Sequence, residues 1–506
     1  MVKRSRLAAV ALLGAAWGAT GCAPATFHEG VPWAVQRWRT TDAKTQTVRG
    51  MPFLRVNSFL LGELDRAVAA DERSAGRPNL VNVVDQCHGL AVRSARGEID
   101  RLPPAAIEEL WTAYFPGDAR PGDLRAAVRK RYLAAVEKGW RGFRARLAAT
   151  ESPSARRRIA DDIRRRVNPS IKAHHGHGLF LAVMMEKIPA SEEPLDRGGP
   201  EVDLYEPDPE ALGAFTASDA GPEAALLARF APIILQERRT DALYAADSDR
   251  IGTVRLEGTP ERIHVVVDTD SPSVYAYWQR TIIHGRPHLQ LVYCHWFPRR
   301  PALKPNDPEA GPIDGATLRI TLDRDQRPAV FETILNCGCY HRCYVSVALE
   351  TAAEQAHGPP LPGKRTSAAR KMTGTPDWVV PETVKLSSLT EVRPILFSRA
   401  GYHGLAGVSF DAAELTRRRV LDRRRYVLRL YDVLENLPTP YGRGSMFGAD
   451  GLVHYAGRPE GWLLAGTGMV SAGQPRQRGT QRICWDQYDF DDPHLIEKCL
   501  RLPPDF

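Results

Sequence analysis

The chain has 506 residues, a formal net charge of +8, and 43% hydrophobic and 25% charged residues. This length predicts two or three domains with a sizeable core, and the composition is that of a soluble globular protein rather than a disordered one. The positive charge favours anionic partners, such as phospholipid headgroups or cell-wall polymers.

The first 21 residues predict an export signal. Three basic residues precede an apolar core, Leu7–Trp17, which is followed by the small residues Ala19-Thr20-Gly21 of a cleavage site. The apolar core is too short to span a bilayer as a helix. An exported protein is not expected to meet nucleic acid, so we interpret the basic charge in terms of the cell envelope.

Cys22 follows the predicted cleavage site, and Ala19-Thr20-Gly21-Cys22 resembles the bacterial lipobox, with alanine where leucine is usual. The resemblance implies that Cys22 is acylated, as in palmitate-bearing lipoproteins, and becomes the mature first residue. Ala23 implies transport to the outer membrane, with the protein facing the periplasm. The alternative is an ordinary secretory signal with an incidental cysteine.

Residues 22–50 predict a tether and residues 51–197 a helical region. The clearest helix is Leu124–Ala149, with Asp123 as its N-cap and apolar residues every three or four positions. Shorter helices are predicted over Ala105–Tyr114 and Ser154–Val167. Their basic residues fit either an interfacial helix on an anionic membrane or the solvated face of a helical bundle.

Residues 198–223 are rich in Gly, Pro and acidic residues and predict a linker. Residues 224–506 then predict a β-rich domain, opened by a short helical run, Ala224–Leu235. The period-two segments typical of strands are Arg262–Asp268, Val274–Gln279, His288–Phe297, Ala316–Asp323, Pro328–Leu335 and Tyr340–Leu349. The predicted fold class is therefore α+β, with a helical N-terminal region followed by an antiparallel β-sandwich or barrel-like domain.

Asn336–Tyr344 concentrates three of the eight cysteines and one histidine. If the preceding strand continues through it, Cys337, Cys339, His341 and Cys343 all face the same way. Because the periplasm is oxidising, disulfide staples are the first interpretation, with Cys294 as a natural partner. A strained, reducible bond within Cys337-Gly338-Cys339 is another.

The same donors also fit a metal site for zinc or another soft divalent ion. Cys337, Cys339 and His341 would be its core ligands, supplemented by Asp314 or His403. The spacing matches no standard zinc pattern, and a single ion requires Gly338 to bend the chain. Cys87-His88, the histidine run at 174–177 and the acidic residues around 486–494 are further donors, for which structural roles are the simpler interpretation.

The residues from Ala224 to Tyr344 resemble a family of uncharacterised bacterial exported proteins, with a weaker likeness at Phe490–Ile496. The order that carries the resemblance is Val-Asp, Val-Tyr, Gln-Leu-Val-Tyr, Trp-Phe-Pro, Arg-Pro, Ile-Asp-Gly, Arg-Ile-Thr-Leu-Asp and Cys-Gly-Cys-Tyr-His. That family implies no function. Cys343 departs from it, because an aromatic residue is expected there.

Cys484 and Cys499 are predicted to form a disulfide that holds a short terminal helix. No Gly-x-Ser-x-Gly or His-Glu-x-x-His motif is present in the sequence. Because no catalytic set is complete, we expect a lipid-anchored binding or scaffold protein with structural disulfides. The alternative is a metal-dependent periplasmic enzyme, such as a hydrolase, that uses Cys337, Cys339 and His341.

Overall fold

The computed structural model describes residues 46–48, 50–56, 60, 64, 67, 80–101, 104–115, 118–150, 152–166, 201–216, 223–239, 247–259, 262–370, 380, 382–386, 393–440, 442–448, 452–459, 473–477, 482–483, 488–490 and 495–506. The predicted export signal, Cys22, the histidine run at 174–177 and Cys484 lie outside these residues. The acidic stretch around 486–494 is described only at 488–490.

The first described part of the chain combines a small hairpin with amphipathic helices. The helix predicted over Leu124–Ala149 is present as Leu124–Ala148, and the Asp123 carboxylate accepts a hydrogen bond from the Ala126 N–H at 2.9 Å, as expected for its N-cap. The elements in this part are β1 (Gln46–Val48), β2 (Met51–Val56), α1 (Leu80–Arg101), α2 (Pro104–Tyr114), α3 (Leu124–Ala148) and α4 (Pro153–Arg165).

The apolar sides of these elements are buried against one another. Val128, Tyr132 and Val136 of α3 pack with α2, whereas Phe143 and Leu147 pack with β2 and α1. Cys87 lies in the second cluster, and the neighbouring His88 stacks on Trp140 at 4.4 Å between ring centroids. Cys87 and His88 therefore take part in the packing of the helices.

The rest of the described chain is built on an eleven-stranded sheet with the order β12-β11-β10-β9-β8-β7-β15-β3-β4-β13-β14. Its strands are β3 (Glu201–Pro207), β4 (Ile233–Glu237), β7 (Ser273–Ile283), β8 (Arg286–Arg300), β9 (Gly311–Leu322), β10 (Pro328–Leu335), β11 (Arg342–Ser346), β12 (Thr383–Val384), β13 (Ile395–Ser398), β14 (Leu405–Ser409) and β15 (Arg419–Leu430). The remaining strands form hairpins: β5 (Thr253–Thr259) with β6 (Arg262–Asp268), β16 (Leu437–Thr439) with β17 (Gly442–Gly444), and β18 (Arg482–Ile483) with β19 (Tyr488–Asp489).

Strand directions in the large sheet are mixed. Six neighbouring pairs are antiparallel. Four are parallel: β11 with β12, β13 with β4, and β15 with both β3 and β7. The predicted combination of helices with a barrel-like sheet is confirmed at that level, but the expectation of a purely antiparallel sheet is corrected.

The sheet curls until its ends nearly meet. The rings of Phe331 on β10 and Phe410, just after β14, lie 5.5 Å apart. In the hydrogen-bonded order β14 is the last strand and β10 is the third from the opposite end, so this contact joins the two ends of the sheet. One apolar cluster takes a member from every strand of the sheet, including Tyr205, Leu318, Leu396 and Val408. This cluster is the inside of a nearly closed barrel.

One end of the barrel is closed by an apolar helix, α6 (Ala224–Arg229). Leu227 is fully buried in the interior cluster, and its carbonyl accepts a hydrogen bond from the Tyr293 hydroxyl at 3.0 Å. Each large apolar side chain buried in this way stabilises the fold by about 1.5–3 kcal/mol. We call the opposite end, where β8 and β10 finish and β9 begins, the polar end.

Three clusters cover parts of the outer face, and one of them, with Val202, Leu204 and Phe397, lies over β3, β4 and β13. The β5–β6 hairpin and residues of 431–456 lie over β7 and β8. The C-terminal residues and α7 (Val347–His357) lie over β10 and β11, together with α8 (Leu495–Cys499). Within the described residues, no helix has both the length and the hydropathy needed to cross a bilayer.

Three element predictions are corrected. Residues 198–223, predicted as a linker, contain β3 and α5 (Pro209–Thr216), because the buried Val202, Leu204 and Tyr205 make this stretch a strand of the sheet. The helix predicted over Ala224–Leu235 ends at Arg229, and β4 begins at Ile233. The strand predicted over Tyr340–Leu349 ends at Ser346, whose side chain caps α7 by accepting the Leu349 N–H at 3.1 Å.

Candidate functional site at the polar end of the barrel

Asp314 and His403 meet at the polar end. Asp314 lies near the start of β9 and is fully buried, and His403 lies in the loop between β13 and β14. His403 Nδ1 is 2.7 Å from Asp314 Oδ2, while Nε2 is 3.1 Å from both Asp249 Oδ1 and the Ser248 carbonyl oxygen. The Phe297 ring stacks on the imidazole, with 3.8 Å between the centroids. Carboxylates therefore lie at both nitrogens of one fixed imidazole.

The Asp314 carboxylate has two further partners. Arg458 Nη2 donates to Oδ1 at 2.8 Å, and Gln474 Nε2 donates to the same oxygen at 3.3 Å. Burial alone would raise the pKa of Asp314, but the positive charge of Arg458 and the hydrogen bond from His403 outweigh it and hold the pKa well below its usual value. Asp314 is therefore ionised.

His403 is held in its charged form. Burial would lower its pKa, but hydrogen bonds to Asp249 and Asp314 outweigh that effect and raise it. In the charged form, both ring nitrogens donate hydrogen bonds, to Asp314 and to Asp249. The carboxylates of Asp249 and Asp314 balance the charges of His403 and Arg458.

His295 lies beside this network and has the opposite character. It faces the barrel interior on β8, next to Phe297, and is 1% exposed. Burial and the positive charge of His403 lower its pKa to about 3, so the ring is neutral at physiological pH. As the strand alternation predicts, Cys294 faces the other side, where it packs in the outer cluster.

Polar atoms without partners line the interior near His295. Strand alternation places Gln236 on β4 and Ser398 on β13 on the inner face, and these two are paired in register. Four side-chain atoms here are buried with no hydrogen-bond partner among the described residues: Gln236 Oε1, Ser248 Oγ, His295 Nε2 and Ser398 Oγ. Thr333 Oγ1, on β10, is in the same state one inward-facing position deeper. Buried polar groups are normally paired, so these atoms are expected to bind water or another polar molecule.

An aromatic pair lies at the rim of the polar end. Tyr340 is 46% exposed and adopts a left-handed backbone conformation with φ of 54°. Its ring lies 6.0 Å from that of Tyr402, in the loop that carries His403. A large exposed side chain held in such a conformation is uncommon and suggests a functional reason.

The Cys-Gly-Cys stretch forms a tight turn between β10 and β11. Gly338 has φ of 94°, and the Leu335 N–H donates to the Cys339 carbonyl oxygen at 3.0 Å. The turn breaks the strand alternation, so the condition for a shared orientation is not met and the chain instead bends at Gly338. Cys337 and Cys339 pack with the interior cluster, whereas Cys343 packs with the outer one.

The predicted staples between this turn and Cys294 are not formed. Cys294, Cys337 and Cys343 are buried thiols. Cys294 Sγ lies 3.1 Å from Asn336 Nδ2, which is its donor. The predicted Cys484–Cys499 disulfide involves a residue outside the described part of the chain and stays a prediction.

His341 belongs to a second buried network, on the outer face. Arg319 donates from Nε and Nη2 to both oxygens of Glu332 at 2.6 Å, and His341 Nε2 is 3.1 Å from Glu332 Oε1. Arg319 also donates to the Phe490 carbonyl oxygen, and its guanidinium lies 3.6 Å from the centroid of the Phe490 ring. Burial lowers the pKa of His341, so this imidazole is neutral.

The predicted metal ligands are therefore divided between separate places. Cys337 and Cys339 lie at the interior, His341 is bonded to Glu332 on the outer face, and Asp314 is bonded to His403. Among the described residues, no group of three or more His, Cys, Asp or Glu side chains is arranged to hold a metal ion. The geometry does not favour zinc at this stretch.

Sequence reasoning named Asp314 and His403 but missed Asp249, Arg458 and the inner wall. Asp249 and Arg458 are 154 and 55 residues from His403 in the chain, in segments without strand or helix periodicity. The sequence signal for the inner wall was the alternation of β8, which predicts that His295 faces opposite to Cys294. Comparison with protein-family models, curated proteins and solved structures finds no match to this chain.

Proposed function

We propose that this protein is a lipid-anchored binding protein of the bacterial cell envelope. It faces the periplasm and holds a neutral ligand rich in hydroxyl and amide groups at the polar end of its barrel. The observation that carries this proposal is the set of buried, unpartnered polar atoms on the inner wall, on Gln236, Ser248, His295 and Ser398. Leaving such atoms unpaired costs about 1–3 kcal/mol each, which a bound polar molecule would offset.

The chemistry of the wall favours a neutral ligand. The unpartnered atoms are an amide oxygen, two hydroxyls and a neutral imidazole nitrogen. The charged residues beside them form ion pairs with one another, as Asp314 does with His403 and Arg458. Ordered water is the competing occupant of such a place.

A sugar unit of a cell-wall polymer has the required groups. An N-acetylated amino sugar carries hydroxyls and an amide, which can donate and accept hydrogen bonds. Its apolar ring face suits an aromatic platform, and Tyr340 with Tyr402 supplies one at the rim. The proposal thus connects the exposed aromatic pair and the interior wall in one site.

The test is calorimetric titration of the purified full chain with N-acetylglucosamine. We expect saturable binding that weakens about tenfold in Tyr340→Ala, because one aromatic face is lost. Ser398→Ala removes one wall atom and should also weaken binding.

Tyr455→Ala is the matched control for Tyr340→Ala. Tyr455 is 58% exposed and stacks on His264 of the β5–β6 hairpin at 5.4 Å. Its removal should leave binding unchanged. Absence of saturable binding by the unmutated protein, or equal loss in both tyrosine variants, would contradict the proposal and leave water as the occupant of the wall.

A further inference from the structure

Strand β15 carries a row of arginines on the outside of the barrel. Its inward residues, Tyr426 and Leu428, belong to the interior cluster, so the alternate residues Arg423, Arg425 and Arg429 face outward. Arg419 at the start of the strand is also exposed. The strand lies inside the sheet, between β3 and β7, so this face is not a sheet edge.

Two of these arginines have no ion-pair partner among the residues that the structure describes. Arg419 is paired with Glu201 at 2.8 Å, and Arg429 Nε donates to Ser273 Oγ at 3.0 Å. Arg423 and Arg425 are exposed and make no ion pair or side-chain hydrogen bond with any described residue. They present two exposed guanidinium groups two residues apart on the same face of a strand, with Glu206 of β3 beside Arg425 in the register.

An exposed leucine adjoins them. The register between β15 and β3 shifts between Val420 and Asp422, and Leu421 at this bulge is 37% exposed. A bulge re-aims a side chain away from the regular alternation. The surface therefore combines positive charge with a partly exposed apolar residue.

We propose that the outer face of β15 lies against a bilayer surface that carries anionic phospholipid. Arg423 and Arg425 bind lipid phosphates, for which the planar guanidinium is suited, and Leu421 enters the interfacial region. An anionic polymer in solution would be bound by the arginines alone and would leave Leu421 without a role. The inference rests on the proposed attachment at Cys22, which would hold this face near a membrane.

The test separates this surface from the anchor. The full chain with Cys22→Ala, which cannot be acylated at that position, is sedimented with vesicles of equal parts phosphatidylglycerol and phosphatidylcholine. We expect binding to these vesicles and none to phosphatidylcholine alone. Each basic residue near such a surface contributes roughly fivefold, so Arg423→Gln with Arg425→Gln should weaken binding about 25-fold. Leu421→Ser should weaken it several-fold.

Arg286→Gln with Arg324→Gln is the matched control. Both residues are exposed, without an ion pair among the described residues, and lie at hairpin turns away from β15. This variant should retain at least half of the binding. Equal loss in both double variants would overturn the proposal.

Two further results would also overturn it. One is no vesicle binding by the Cys22→Ala chain. The other is full retention of binding by Leu421→Ser together with equally tight binding to dextran sulfate, which would assign the face to polyanions in general. Titration with N-acetylglucosamine is independent of these outcomes, so failure of the membrane surface and failure of the proposed ligand site can be told apart.

Discussion

At the scale of single residues, the polar end is defined by how each ionisable group is compensated. Asp314 is ionised because Arg458 and His403 both bond to it, and His403 is charged because a carboxylate lies at each of its nitrogens. His295, one strand away, has neither and is neutral. Two histidines within one site therefore have opposite protonation states at the same pH.

We expect these two histidines to make stability depend on pH in opposite directions. The pKa of His403 is raised above its ordinary 6.5, so its contribution is complete below pH 6.5 and is lost as pH rises through the folded-state value. The pKa of His295 is about 3 when folded, so its contribution is complete above 6.5 and falls at lower pH, where only the unfolded chain binds the proton. Each pKa unit corresponds to about 1.4 kcal/mol.

The measurement is the urea midpoint as a function of pH. His403→Asn should flatten the loss of stability above pH 6.5, and His295→Asn should flatten the loss below it. The two variants serve as controls for each other, since each should leave the other limb unchanged. A single variant that flattened both limbs, or neither variant having an effect, would show that other groups set the profile.

The buried Arg319–Glu332 pair gives a second prediction. Both side chains are at most 1% exposed, so Arg319→Met leaves the Glu332 carboxylate buried without its main partner. We expect a loss of about 3–5 kcal/mol in the free energy of unfolding, measured in urea. Arg327→Met, which breaks the exposed pair with Asp325, should cost about 0–1 kcal/mol. Equal costs for the two variants would contradict the assignment of Glu332 as a buried carboxylate.

At the scale of elements, the turn after β10 is coupled to β8 and β9 through Asn336. The Asn336 side chain accepts a hydrogen bond from Thr317 Oγ1 at 2.7 Å and donates one to Cys294 Sγ at 3.1 Å. It fits there because Gly315 has no side chain. A Cβ added at Gly315 would lie 2.2 Å from Asn336 Nδ2 and 2.5 Å from the His295 carbonyl oxygen. Any side chain at position 315 would therefore clash with both the backbone of β8 and the turn.

Gly315→Ala should therefore destabilise the barrel by about 1–3 kcal/mol, because Asn336 must give up its bonds or the strand must shift. Thermal unfolding followed by circular dichroism measures this. Gly213→Ala in α5, where an added Cβ meets nothing within 4 Å, is the control and should be neutral or stabilising by up to about 1 kcal/mol. Unchanged stability in Gly315→Ala would mean that the turn is looser than the structure indicates.

The elements also show how far the sequence could be used. Strands β6 and β10 were predicted with their observed bounds, because their alternation and β-branched residues are local signals. β3 was mistaken for a linker, since its seven residues lie between Gly, Pro and acidic residues and its partners, β4 and β15, are elsewhere in the chain. The Cys-Gly-Cys turn lies between the predicted strands Pro328–Leu335 and Tyr340–Leu349, but the sequence does not show which way each cysteine faces, because this depends on the left-handed conformations of Gly338 and Tyr340.

At the scale of the whole molecule, the barrel could be anticipated but its site could not. Repeated strands predict a sheet, and a sheet of this size curls on its own core. The contact between Asp314 and His403 joins positions 89 residues apart, and it exists only because the β13–β14 loop reaches β9 when the sheet nearly closes. The sequence identified both residues and assigned them to a metal, because pattern alone does not show which partner each one meets.

The lipid anchor is a prediction at the same scale. Cells expressing the full chain and fed labelled palmitate should incorporate the label, and Cys22→Ala should abolish incorporation because the acyl acceptor is removed. Cys87→Ala is the control, since that thiol is fully buried within the helices and should have no effect. Labelling that persists in Cys22→Ala would contradict the lipobox assignment.

Strand β15 joins the two parts of the sheet, pairing with β3 along its first half and with β7 along its second. The Arg419–Glu201 contact alone spans 218 positions. Until residue 430 is available, β3 and β7 each have an unsatisfied backbone edge, and such edges template aggregation. The pairing of β15 with β3 and β7 should accordingly limit the rate of barrel assembly, because it joins distant parts of the chain and forms late. A newly synthesised chain then needs protection from aggregation until β15 has been synthesised.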